Sequence, residues 1–350
     1  RRGARDLDDD ISGAAGSPGF HDWLWLFVRA EQVRHAIRGI LGSLAPEEIE
    51  AAMTELADAA LRQLTRGSGV LAVALGKYGG GEIAFGSDLD LLFVAEDGRE
   101  TEAAAVVAAV RAALGGSGPL GPAFALDLRL RPHGQSGPEA TSVAALDAYH
   151  MAGGGGQMWE RQSLIRARVV AGPAALAESF RAWRDRLLYG APATDAQIEE
   201  IRAMRARIEK ELGAGPPGAA FKAGAGGLVD IEFLVQALQL RQGWTNLQLR
   251  ATGTRPALRA LAAAGLIQAG DSSVLGQNYG FLRRIETALR LDANRSVSNL
   301  PPDADDREAL ARWLGFTGAG HFMAEHLNRL GETRRIYDNM PSLLEFRAPA

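Results

Sequence analysis

Two apolar runs, residues 71–75 and 89–95, enclose the segment Gly76-Lys77-Tyr78-Gly79-Gly80-Gly81-Glu82-Ile83-Ala84-Phe85-Gly86-Ser87-Asp88, and Asp90 interrupts the second run. Apolar runs separated by so many glycines predict a strand, a glycine loop and a second strand. Asp88 and Asp90 then share one face, about 6 to 7 Å apart at their bases, while Leu89 and Leu91 face the core. Two ionised carboxylates at that distance repel by roughly 2 to 3 kcal/mol at an effective dielectric near 20. Something positive is expected between them. A hard divalent ion such as magnesium fits, because it takes oxygen ligands from one or two carboxylates plus phosphate. Gly86 and Ser87 would bring backbone N–H groups to that phosphate with no bulky side chain in the way. A solvated or structural pair is an equally common use of Asp-x-Asp taken alone.

A second segment, Phe124 to Pro132, alternates strictly. Its period of two places Leu126, Leu128 and Leu130 on a core face and Asp127, Arg129 and Arg131 on the other. A third carboxylate with two guanidinium groups suits phosphate recognition; a solvated strand of mutually neutralised charges is the alternative. The segment 159–168 reads as a helix in which Glu160, Arg161 and Arg168 either bracket phosphate or form a surface ion-pair network. Lys222 stands beside Gly224, Gly226 and Gly227 ahead of another helix, where a glycine loop can bind an anion or simply permit close packing. Asp230 and Glu232 would then lie in the first turn, favoured there by the helix dipole.

Around these segments the periodicity is helical. Trp23, Leu26, Phe27, Ala30, Val33, Ile37 and Leu41 recur at helical spacing and are expected in a core. A second helix is expected from Pro46 to about Thr65 and a third from Thr101 to Gly115. Residues 1–20 lack either period and read as a flexible lead-in, and the glycines of 152–156 as a mobile loop. From 172 onward every periodic stretch is helical. Expected domains are therefore 21–171 and a helical bundle over 172–350, since single cores divide beyond about 250 to 300 residues. The 47% hydrophobic content is that of a globular chain, and the net charge of −4 argues against a general nucleic-acid binder. Absence of cysteine excludes disulfides and thiol catalysis. Neither a membrane span nor a signal-peptide pattern is evident, so a soluble, cytoplasmic protein is expected. The chain starts with Arg rather than Met, which suggests a fragment or a processed chain.

The block Gly86-Ser87-Asp88-Leu89-Asp90 between apolar runs is the signature of the nucleotidyltransferase superfamily. The longer stretch from Gly76 to Phe93 closely resembles the glutamine synthetase adenylyltransferase family. The resemblance continues through Asp127 to Gly137, Trp159 to Arg168 and Lys222 to Phe233, and so covers most of the chain. It implies an α+β fold: a polymerase-beta-like nucleotidyltransferase domain with a small mixed sheet and flanking helices, followed by an all-helical bundle. It also implies that Asp88, Asp90 and Asp127 hold two magnesium ions, about 4 Å apart in such sites. Gly86, Ser87, Lys77, Arg129, Arg131, Glu160, Arg168 and Lys222 would serve the nucleotide, ATP. Family members transfer AMP to a tyrosine of glutamine synthetase or remove it by phosphorolysis. The blocks at 86–90, 228–232 and 289–297 are more similar to the adenylylating half, whereas Gln135 to Pro138 is similar to the deadenylylating one. Departures from the family pattern are few: the 153–156 glycine run and Ala225. A non-catalytic module docking glutamine synthetase or a PII signalling protein, and a transferase acting on nucleic acid or a small molecule, stay open beside these.

Overall fold

A computed structural model describes residues 3–115, 121–151, 153–293 and 296–345, apart from the side chains of residues 292 and 293. Ala152 of the glycine run, and residues 294 and 295 of the 289–297 block, lie outside the described residues. The chain divides into two compact units, Arg1–Leu188 and Tyr189–Ala350.

The first unit opens with three helices, α1 (Ala4–Ala14), α2 (Phe20–Ile40) and α3 (Pro46–Leu64). The lead-in thus contains a helix, α1, because Leu7 and Ile11 four residues apart are buried on one side of it. Proline at the first position of α3 and Glu47 and Glu48 in its first turn suit a helix start. The sheet is mixed. β1 (Leu71–Ala74) runs antiparallel to β2 (Leu89–Ala95) and to β5 (Arg168–Ala171). The other edge of β2 is shared end to end by two short parallel strands, β3 (Leu126–Asp127) beside Leu89 and Asp90, and β4 (Ala140–Ser142) beside Phe93 to Ala95. Between β1 and β2 the expected glycine loop contains one helical turn, α4 (Gly76–Gly79). Helix α5 (Glu100–Gly115) packs on β2 and β4, burying Val107, Val110 and Leu114. α6 (Val143–His150), capped by the Ser142 hydroxyl on the Ala145 N–H, α7 (Met158–Ser163) and α8 (Ala174–Tyr189) complete the unit.

The α2 stripe corrects an expectation. Leu24 and Val28, outside the expected stripe, are buried with Glu31, Gln32 and His35, whereas the stripe residues Trp23, Leu26, Val33, Ile37 and Leu41 are exposed. Directional bonds set the rotation of the helix. The Gln32 amide donates to the Ala123 carbonyl at 2.6 Å and the Trp25 indole N–H to that of Gly121 at 3.1 Å. A second correction concerns residues 124–132, where only Leu126 and Asp127 form strand. The chain leaves the sheet at Leu128 because Arg131 folds back to donate to the Leu128 and Gly137 carbonyls.

Among its described residues the second unit is wholly helical: α9 (Asp195–Leu212), α10 (Leu228–Gln242), α11 (Thr254–Ala263), α12 (Ala269–Ala293), α13 (Ala304–Trp313), α14 (Ala319–Asp338) and α15 (Met340–Glu345). Thr194 caps α9 and Asp303 caps α13, each through a side-chain oxygen accepting from the first turn. Charged groups reach its interior in neutralised clusters. Arg205 of α9 bonds the buried Asp230 carboxylate of α10, and Glu286 of α12 lies between Arg283 and Arg290 on its own helix.

Candidate active site

The site forms where β2 begins. Asp90 is the register partner of Asp127 across the parallel β2–β3 pair, and Asp88 lies one alternation before Asp90 at the mouth of the strand. Neighbouring strands are about 4.8 Å apart, so the backbones carrying these two carboxylates are as close as a sheet allows. Asp88 is exposed, Asp90 half-buried, and Leu89 and Leu91 are buried on the opposite face, as the period of two requires. Gly76 makes room for Asp90. Its φ is +52°, and a Cβ there would stand 2.1 Å from the Asp90 carboxylate oxygen, so side chains larger than hydrogen collide.

Charge balance at this edge comes from Arg129. Its Nε lies 3.0 Å from each Asp127 carboxylate oxygen, and its backbone N–H donates to the same group at 2.9 Å. The Arg129 hydrogen bonds hold the Asp127 carboxyl below its ordinary range, and Asp90 and Asp88 add to the negative field on the guanidinium. A cleft of about 490 Å³ opens over this edge, lined by Asp88, Asp127, Arg129, Arg131, Gln135 and Arg111. Sequence reading missed Arg111. It is a single charge near the end of the Ala/Val-rich α5, ion-paired to Glu139, and only the packing of α5 on β2 turns it into the cleft.

The other expected site residues separate into distinct places. Lys77 is half-buried on α4, and Gly86 takes a left-handed φ of +59° in the turn before Asp88. The Ser87 hydroxyl accepts from the Ala84 N–H at 3.0 Å, and its own N–H donates to the Ala84 carbonyl at 3.2 Å, so both groups fix that turn. Arg168 stands on β5 rather than in a helix, where it grips Asp58 through two N–H groups at 2.8 and 3.0 Å beside Tyr78. Arg161 donates to the Leu187 carbonyl. Glu160 accepts from the Tyr149 hydroxyl at 2.9 Å and from the Gln157 N–H at 2.8 Å, which ties α7 to α6. Burial, then this bond, raises the Tyr149 pKa, and the His133 backbone also bonds the phenol oxygen. His133 adopts a left-handed φ of 62°, uncommon outside glycine, in the loop leaving Arg131. In the second unit the loop after Lys222 already holds an anion of its own: the Gly226 N–H donates to the Asp230 carboxylate at 2.7 Å.

Three carboxylates are a hard, all-oxygen donor set of the kind magnesium takes. Among the described residues, no three acidic, histidine or cysteine side chains converge on a common point, and Asp127 faces Arg129. The donor set fits magnesium in kind but is not gathered around a common point, and Arg129 supplies the positive charge beside Asp127.

The fold and site define an α+β protein with a carboxylate and guanidinium cleft at one end of its central strand. Residues 7–183 match the family model described as glutamate-ammonia ligase adenylyltransferase, and residues 195–340 match one described as PII-uridylyltransferase. Among curated relatives, a bifunctional glutamine synthetase adenylyltransferase/adenylyl-removing enzyme of Streptomyces avermitilis is 34% identical over 91% of this chain and 35% of its own length. Enzymes of the same description from Streptomyces coelicolor and Stenotrophomonas maltophilia are 39% and 37% identical, over 71% and 69% of this chain and 26% and 27% of their own lengths. The chain belongs to the glutamate-ammonia ligase adenylyltransferase family. It spans about a third of the length of the curated relatives it matches.

Proposed function

We propose that this chain carries a magnesium-dependent nucleotidyl transfer site that moves AMP from ATP to a tyrosine hydroxyl of glutamine synthetase. The observation that carries this reading is the register pairing of Asp90 with Asp127 beside Asp88, at a cleft that also presents three arginines. In the reaction the tyrosine hydroxyl gives up its proton to solvent, its oxygen forms a bond to the α-phosphorus, the bond from that phosphorus to the α–β bridging oxygen breaks, and pyrophosphate leaves with the bridging oxygen. Asp88, Asp90 and Asp127 would hold the magnesium, one ion or two, which supplies Lewis-acid polarisation of the phosphates and activation of the attacking hydroxyl. Arg129, Arg131 and Arg111 neutralise charge that grows on the phosphoryl oxygens and the leaving group. Their forked geometry suits that task better than a point charge would. Arg129 pairs with Asp127 and offsets the repulsion among the acids.

This reading sets the nucleotidyltransferase domain over 21–171, polymerase-beta-like in fold, followed by a helical bundle domain over 172–350. It places the reaction in the cytoplasm. No helix among the described residues is long and apolar enough to cross a membrane. A PII signalling protein is a second partner in this reading, supported by the family model matched at 195–340. The reverse direction, phosphorolytic removal of AMP, is favoured by one observation, the Gln135 to Pro138 block beside the cleft.

Transfer of label from α-labelled ATP to purified glutamine synthetase tests the proposal. Labelling by the chain that disappears in Asp88→Ala/Asp90→Ala is the expected result. Phosphate-dependent release of ADP from pre-adenylylated synthetase, without labelling, would assign the opposite reaction. Binding without either would leave a docking module.

A further inference from the structure

The loop that leads from β1 toward the acids of the site has little means of holding itself. Four of its seven residues, 76–82, are glycine, and fixing glycine costs more backbone entropy than fixing any other residue. Its position is nevertheless narrowly set: Gly76 clears the Asp90 carboxylate only because it lacks a side chain, and Leu75 at the root of the loop donates to the Asp90 carbonyl at 2.9 Å. Lys77, Tyr78 and Glu82 are the side chains the loop carries, and two of them are gripped from behind. Tyr78, fully buried, donates from its hydroxyl to Asp58 of α3 at 2.7 Å. Arg168 of β5 bonds both oxygens of that carboxylate, lies over the Tyr78 ring, and donates to the Tyr78 and Gly79 carbonyls at 3.2 and 3.3 Å. Two residues earlier, Arg166 reaches Glu82 at 3.2 Å, with both side chains buried. The backbones close up there as well, since a Cβ on Gly79 would stand 1.9 Å from the Arg166 carbonyl oxygen.

Two arginines on one short segment thus hold one loop at its middle and at its end. The cleft is lined by Asp88, Asp127 and Arg129 among others, and by none of Asp58, Glu82, Arg166 and Arg168. Buried ion pairs add little net stability over apolar packing, so four charged groups behind a glycine loop are better explained by the geometry they impose. A guanidinium fork on a carboxylate and two carbonyls fixes direction as well as distance, which apolar contact does not. We infer that Asp58, Arg168, Glu82 and Arg166 are positioning residues: they brace the 76–82 loop against the start of β2, so that Asp90 keeps its place for the transfer reaction. A misplacement of about 1 Å at such a site costs on the order of a hundredfold in rate. That kinetic consequence rests on the nucleotidyl transfer proposed for this site, whereas the brace itself does not.

Amide hydrogen exchange on the full chain tests the brace without the reaction. The N–H groups of Gly79, Gly80, Gly81 and Glu82 each donate to a carbonyl of residues 75–78. Asp58→Asn and Arg168→Lys should each speed their exchange at least about tenfold and leave the amides of α5 unchanged. Combined in one chain, the two changes should act no more strongly than the larger of them, as members of one unit do. In label transfer from α-labelled ATP, each should lower kcat at least about tenfold and shift KM for ATP less than about threefold. Tyr78→Phe keeps the ring and removes one hydrogen bond, so it should move both readouts the same way by a smaller factor, and it decides the matter if Asp58→Asn does not fold. Unchanged loop exchange overturns the inference, and so does exchange that rises equally in α5, which marks a general loss of stability. Additive effects of Asp58→Asn and Arg168→Lys overturn it too, as does a raised KM for ATP with kcat kept, which would put Arg168 on the nucleotide. A wild type that neither labels the synthetase nor removes AMP, with loop exchange responding as expected, overturns the proposed transfer and upholds the brace.

Discussion

Asp127 and Arg129 show at the smallest scale how the site balances its charge. The Arg129 bonds depress the carboxyl pKa in the folded state, so the pair's stabilisation is complete above the ordinary carboxylate range and is lost as pH falls through the depressed value. Arg129 is 68% exposed, which limits the effect to less than about 1 kcal/mol. Arg129→Ala should raise the Asp127 pKa toward the ordinary carboxylate range, read by carboxyl NMR titration, with little change in stability at neutral pH. Under the proposed reaction a larger loss of label transfer is expected, since the guanidinium would serve the phosphates. Tyr149 gives a second test. Tyr149→Phe keeps the ring but removes the link from Glu160 to the loop of His133, so denaturation should show a loss of about 1 kcal/mol.

At the scale of elements, β2 and α12 carry opposite lessons. β2 works because its neighbours give way: Gly76 on α4 leaves space that Asp90 fills. Gly76→Ala places a methyl in that space at a positive φ, and should cost at least about 2 kcal/mol in chemical denaturation together with most of the transfer activity. α12 works because its charges are enclosed together. Glu286 is fully buried between Arg283 and Arg290, and Glu286→Ala would strand two guanidinium groups that have no access to water. A loss of about 3 to 5 kcal/mol is expected by urea titration, without any change in the affinity of the first unit for nucleotide.

For the whole molecule, the two units should respond differently to ligand. Under the proposed function, magnesium with ATP would bind the folded first unit and not the unfolded chain, so at a concentration 100 times Kd it would add about 2.7 kcal/mol. Calorimetry should show that gain in the wild type and none in Asp88→Ala/Asp90→Ala. The two-unit division falls at Leu188, within reach of the change in character that the sequence shows near residue 172, because α8 closes the first unit before the helical second one begins. Helical periodicity was legible there from local chemistry alone.

What the sequence determined by itself is local: the carboxylates alternating on a strand, the helices with their spacing, and the family that these blocks resemble. A period depends on residues a few positions apart, and the sequence displays those directly. Tertiary structure decided the rest. Which side of α2 faces inward was settled by Gln32 and Trp25 bonding carbonyls some 90 residues away, against the apolar pattern. Arg111 entered the cleft through the packing of α5, and Arg168 left it for Asp58, 110 residues distant. Asp127 came to lie beside Asp90 through a parallel pairing that no local signal announces. Long-range hydrogen bonds and ion pairs are set by directional geometry between distant segments, and that geometry exists only once the chain has folded.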